Sequence, residues 1–131
     1  VDGDGTVDMT CNDADGRHWV ILMKNGRPSQ DLGLVKSNWC HSTSALSYAD
    51  VNGDGTADML CDFWGESYVI LMRGGKPHRD LGRVKQGWCT PGAGKSVSHH
   101  DVTGDGIADL ICTNLETGTH NVITFGEDGR P

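Results

Sequence analysis

The chain has no hydrophobic run long enough to cross a membrane. Its longest strongly apolar stretch, residues 19–23, falls far short of the roughly 18 residues a spanning helix needs. No charged stretch followed by an apolar one opens the sequence, so no signal peptide is visible. Lysine and arginine never gather into a run or stripe, which argues against nucleic acid as a partner. No segment keeps a helical period over three turns. A Gly-x-Ser-x-Gly elbow, a phosphate loop and a dinucleotide fingerprint are all missing; Gly104-Asp-Gly106 lacks the third glycine. There is no Cys-x-x-Cys and no standard Asn-x-Ser/Thr sequon. What remains, 36% hydrophobic and 22% charged in 131 residues, is too apolar for a disordered tail and suits one ordinary domain.

Glycine and aspartate, by contrast, are abundant and placed with a period. Val-Asp-Gly-Asp-Gly-Thr-Val-Asp-Met-Thr-Cys at 1–11 returns as Val-Asn-Gly-Asp-Gly-Thr-Ala-Asp-Met-Leu-Cys at 51–61 and Val-Thr-Gly-Asp-Gly-Ile-Ala-Asp-Leu-Ile-Cys at 102–112. Residues 19–23, 68–72 and 121–125 then match one another, as do Gly-Arg-Pro or Gly-Lys-Pro at 26–28, 75–77 and 129–131. Asp-Leu-Gly recurs at 31–33 and 80–82, and Trp-Cys closes two units at 39–40 and 88–89. Repeats 50 to 51 residues apart divide the chain into 1–49, 50–100 and 101–131. That period fits β-propeller blades. Residues 57–61 and 68–72 read as strands, 73–77 as a turn, and 44–48 and 96–99 as strands preceding an acidic loop. The expected unit has four short strands: one before the loop, one after it, then a hairpin pair. About two and a half such units do not close a ring of four to eight blades. The fold expected is all-β, an incomplete ring or a piece of a longer array or filament.

The acidity is local. Nine of the 18 carboxylates sit in three clusters, and the other nine are outnumbered by 11 basic residues. Written from its first aspartate, the second cluster is Asp50-Val-Asn52-Gly-Asp54-Gly-Thr56-Ala-Asp58, with side-chain oxygens at positions 1, 3, 5 and 9. A hard cation takes six to eight oxygens, and alternate residues of a curled loop point inward to supply them. The carbonyl of position 7, Thr56, can add another. Three carboxylates this close would repel one another without a cation, so the expected cofactor is Ca2+. This is not an EF-hand, because Cys61 stands where that motif has glutamate and strands flank the loop. The third loop offers Asp101, Thr103, Asp105, the carbonyl of Ile107, and Asp109; its hydroxyl at position 3 is the weaker ligand. The first offers Asp2, Asp4, the carbonyl of Thr6, and Asp8, without a position 1. Asp-Gly and Asn-Gly clusters also form ordinary turns; threefold recurrence favours the cation.

Asp-x-Asn-Gly-Asp-Gly-x-x-Asp followed by a short apolar strand resembles the signature of FG-GAP/VCBS repeats, the calcium-loop blades of integrin α-chains and of propeller lectins. Cys61 after the strand and the closing Trp-Cys look like a cysteine-bearing variant. The sequences that name the family are not evident, except at Phe125-Gly126. The resemblance implies a loop joining the first two strands of each blade, and repeats that are rarely catalytic. Five cysteines point to disulfides and an oxidising compartment. Two pairings fit: Cys11–Cys40 with Cys61–Cys89, or Cys40–Cys61 with Cys89–Cys112. The second is preferred, because it ties together the ends of the hairpin carrying each acidic loop, at about 3 kcal/mol per bridge in the chain-entropy model. Zinc is the weaker reading at spacings of 21 and 23 residues.

None of the six histidines forms a helical pair, and His99 and His100 should point to opposite faces of a strand. Trp39 and Trp88 recur at one unit position and suit packing between units. Trp64 occurs in one unit only, in a turn, where it could stack on a sugar. The sequence therefore predicts a secreted or cell-surface, non-catalytic, calcium-binding module that recognises a glycan or an extracellular protein. The alternatives are a self-associating subunit of an extracellular filament and a non-catalytic module of a larger secreted enzyme.

Overall fold

The computed structural model describes residues 1–41, 45–89 and 95–131. The expected strand start at Ser44 lies outside those residues. Ten strands form three antiparallel sheets, with no α-helix among the described residues. The first sheet orders β1 (Met9–Asn12), β2 (His18–Lys24) and β3 (Arg27–Lys36). The second orders β4 (Leu46–Ala49), β5 (Asp58–Phe63), β6 (Glu66–Arg73) and β7 (Lys76–Lys85). The third holds β8 (Lys95–His100), β9 (Asp109–Asn114) and β10 (Thr119–Ile123), with β9 in the middle. Each sheet is an unclosed blade of the β-propeller type. The second has the four expected strands, with its acidic loop between β4 and β5.

Local sequence accounts for the shape of each blade. Asn25-Gly26 and Gly74-Gly75 turn β2 into β3 and β6 into β7 with all four residues at positive φ, which is what a two-residue turn matched to strand twist requires. The Asp-Leu-Gly motif makes a bulge. Gly33 N–H donates to Asp31 Oδ1 and Gly82 N–H to Asp80 Oδ1, both at 2.8 Å, and the pairing register shifts beside each.

The blades pack face to face in chain order. One face of β5 and β6 buries Met59, Ile70 and Met72 against Trp39, Leu46 and Tyr48. The other buries Leu60 and Val69 with Val51, Leu110 and Phe125 of the units on either side of that face. Trp39 and Trp88 both pack against these clusters. A β-hairpin turn also presses on the blade before it. A Cβ on Gly75 would lie 2.6 Å from Leu32 Cδ1 and 2.9 Å from Leu22 Cδ2; one on Gly129 would lie 3.0 Å from Leu71 and 3.1 Å from Leu81. Glycine is needed there for close approach as well as for φ. Disulfides Cys40–Cys61 and Cys89–Cys112, with Cα atoms 5.7 and 5.5 Å apart, each join a blade's middle strand to the connection leading into that blade. Cys11 is a free, exposed thiol.

Candidate metal centre

The three acidic loops share their hydrogen bonds at positions 5 and 9, and loops 2 and 3 share those at position 1 as well. The aspartate at position 9 is the keystone. Val51 N–H donates to Asp58 Oδ2 (3.1 Å) and Met72 N–H to Asp58 Oδ1 (2.9 Å). Val102 and Phe125 do the same at Asp109; at Asp8 Met23 N–H donates to Oδ1, and the amino group of Val1 stands where the other two loops have an amide N–H. One buried carboxylate therefore joins the start of the loop to the far end of the strand that pairs with its own, within β2 and β6 and just past β10. Position 1 folds the loop tip. Asp50 accepts from Gly53 N–H (2.7 Å) and Gly55 N–H (2.8 Å), and Asp101 from Gly104 and Gly106 at the same distances. Position 5 accepts from the N–H of position 7: Thr6 to Asp4, Thr56 to Asp54, Ile107 to Asp105.

This arrangement changes the sequence argument in one respect. Carboxylates at positions 1 and 9 of loops 2 and 3 are held by backbone N–H groups, so crowding alone does not demand a cation there. Asp101 shows the effect: the N–H groups of Gly106 and Gly104 hold its carboxyl below the usual range. Asp58 shows the opposite. Burial, reinforced by the negative Asp54 and Asp50, pushes it up to about 7 despite the bonds from Met72 and Val51. Among the described residues, no positive charge compensates an ionised Asp58.

Among the described residues, the carboxylates that converge are Asp2, Asp4 and Asp8, whose ligand oxygens lie within 4.8 Å of one another. That span is about twice a calcium–oxygen bond of roughly 2.4 Å, and an all-oxygen set is what a hard cation takes. The donor set fits. Loop 2 has Asn52 in place of Asp2, and its amide donates to Asp54 Oδ2 at 3.2 Å. Loop 3 has Thr103, whose hydroxyl reaches Asp101 Oδ1 at 3.4 Å. At these loops positions 3, 5 and 9 bring two carboxylates and one neutral oxygen.

The loops also touch one another. A Cβ on Gly3 would lie 2.8 Å from Thr56 Oγ1, and one on Gly53 would lie 3.0 Å from Ile107 Cγ1. Ala108 N–H donates to the carbonyl of Asp50 at 2.7 Å. Position 7 of each loop thus packs on position 4 of the loop before.

Residues 1–61 match the model of the FG-GAP-like repeat. Those residues belong to the FG-GAP-like repeat family. They hold the first two acidic loops, and residues 101–109 repeat the pattern beyond them. A crystal structure titled as TcdB2-TccC3 without hypervariable C-terminal region shares the fold, with a TM-score of 0.70 at 19% identity over 90% of this chain. This chain spans 6% of that one, and the likeness speaks for the fold alone. No curated protein matches the chain.

Trp64 lies far from the loops, in the β5–β6 turn, and is 63% exposed. Beside it the structure assembles residues that the sequence did not single out, among them Phe63, Tyr68, Asn38 and His41. Their one signal in the sequence was the aromatic pair Phe63-Trp64 in a single unit.

Proposed function

We propose that this FG-GAP-like chain is a non-catalytic, calcium-stabilised recognition module of an extracellular protein, acting on a glycan or a protein partner. The observation that carries the reading is the convergence of Asp2, Asp4 and Asp8 in a loop whose backbone pattern recurs at Asp54, Asp58 and at Asp105, Asp109. Bound calcium would supply positive charge to oxygens held by the backbone and fix the loops against the blades. Two disulfides fit an oxidising, extracellular setting.

Thermal unfolding tests the cation directly. A ligand that binds only the folded chain stabilises it by about 2.7 kcal/mol at a hundred times its Kd. Millimolar calcium should raise Tm and a chelator should lower it. Asp4→Ala should remove part of that shift and leave the rest to the other two loops. An identical Tm with calcium and with chelator would sink the reading.

A further inference from the structure

We propose that the β5–β6 end of the second blade binds an uncharged pyranose sugar, stacked on Phe63 and Trp64 and hydrogen-bonded by Asn38 and His41. The inference rests on the recognition reading above and gives it a place and a ligand class. Trp64-Gly65 makes a two-residue turn with φ of 51° and 77°. Asparagine, aspartate or glycine is the normal first residue of such a turn, and a bulky side chain there is strained. Trp64 buries little in return: it is 63% exposed and its neighbour Phe63 49%. Unit 1 makes the corresponding turn with Asp13, Ala14, Asp15 and Gly16, closed by bonds to the Asp13 carboxylate. Folding therefore does not require an aromatic pair here.

Phe63 lines a cavity of about 360 Å³ together with Trp39, Tyr68, Asn38, His41 and the Cys40–Cys61 disulfide, within the range of small-molecule sites. Trp64 stands edge-on to Phe63, with ring centroids 6.0 Å apart, and extends that aromatic wall. Among the described residues, no lysine, arginine, aspartate or glutamate lines the cavity. Beside Tyr68 the charges are paired: Arg83 Nη1 donates to Glu66 Oε1 at 2.9 Å and Tyr68 OH to Glu66 Oε2 at 2.6 Å. A charged ligand would find no counter-charge. Asn38 Oδ1 lies 3.1 Å from His41 Nε2, leaving the Asn38 amide N–H groups and His41 Nδ1 to reach hydroxyls. Aromatic faces beside a few such polar groups suit a ring with a C–H face and equatorial hydroxyls. The connection is also prearranged: Asn38 and Cys40 hold positive φ, Trp39 N–H donates to Gly16 O, and the disulfide ties Cys40 to β5. At the next junction the corresponding positions are Gly87, Asn114 and Asn121, so this combination occurs once in the chain.

The test is titration of the calcium-equilibrated full chain with the methyl glycosides of glucose, galactose, mannose, fucose and N-acetylglucosamine, followed by tryptophan fluorescence and calorimetry. At least one should bind with a Kd in the millimolar range or tighter. Trp64→Asn creates Asn-Gly, a favoured turn, so the variant should melt at or above the wild-type temperature yet bind about three- to tenfold more weakly. Phe63→Ser and Asn38→Ala should weaken binding similarly. Absence of binding by every glycoside overturns the proposal, as does a Kd unmoved by Trp64→Asn and Phe63→Ser. Tighter binding of N-acetyltryptophanamide than of any glycoside would assign the cavity to a peptide side chain and also overturn it. Melting in calcium and in chelator on the same samples separates the two readings. A calcium-stabilised chain that binds no sugar loses only this site; a sugar-binding chain indifferent to calcium keeps it and loses the cation.

Discussion

Met9 and Met59 stand at the same position of consecutive repeats, yet Met9 is 52% exposed and Met59 fully buried. The second blade is covered on both faces, by the first and the third; among the described residues, the first blade has only the second against it. Both strands carry Met at this position and Cys two residues on. Burial in this fold is conferred by the neighbouring blade rather than by the strand's own composition. The contact between neighbours is chemically free as well. At the first junction Asn12 Oδ1 meets His18 Nδ1 (2.7 Å) and accepts from Tyr48 OH (3.1 Å). At the second, Asp62 accepts from Ser67 Oγ (2.6 Å) and meets His99 Nε2 (2.7 Å). Asn12 and Asp62, His18 and Ser67, Tyr48 and His99 are repeat equivalents. The positions recur while the residues do not.

Covering on both faces should be felt most at Asp58. Its carboxyl, held at about 7 in the folded chain against an ordinary 3.8, keeps a proton there that it gives up when unfolded. The favourable contribution is complete below about pH 4 and is lost as pH rises to 7. In chelator, wild type should lose up to roughly 4 kcal/mol against Asp58→Asn across that window, measured by denaturant unfolding. Parallel pH curves would break the link between covering and charge.

The turn glycines come next. Gly75→Ala combines a positive φ with a clash against Leu22 and Leu32 and should cost about 2–4 kcal/mol. Gly129→Ala meets Leu71 and Leu81 less closely and should cost less. Gly26→Ala has open space around it and should show only the backbone term, about 1–2 kcal/mol. Equal losses at 26 and 75 would mean that the turn does not seat on the blade before it.

The smallest difference lies between the two polar junctions. Asp62→Ala leaves buried His99 without its partner and should cost about 2–3 kcal/mol, whereas Asn12→Ala should cost about 1–2. The reverse order would show that the charged junction is the weaker one.

Much of the fold was legible because repetition writes itself three times. The period, the four-strand unit and the loop at the head of the second strand all follow from 1–11, 51–61 and 102–112 lying in register. Hairpin geometry was enough to favour the cross-loop disulfides. The division of labour inside the loops was not legible. Position and residue type mark Asp50 and Asp58 as oxygen donors alike, but only coordinates show that backbone N–H groups take both oxygens of each. The junction contacts were hidden for a different reason. Tyr48 reaches Asn12 over 36 residues and His99 reaches Asp62 over 37, and no local pattern announces a partner that far away. The cavity beside Phe63 draws on two blades' worth of chain for the same reason.

The contacts of Gly75 and Gly129 always point backward along the chain, each onto the leucine pair of the preceding repeat. A repeat is therefore a part with a plug on one side and a socket on the other. Copying one such part in the gene, at a period of 50 or 51 residues, would fill every socket without inventing a new joint. Lengthening by whole multiples is thus a change this architecture can absorb, while reversing the order of strands within a part is one it cannot.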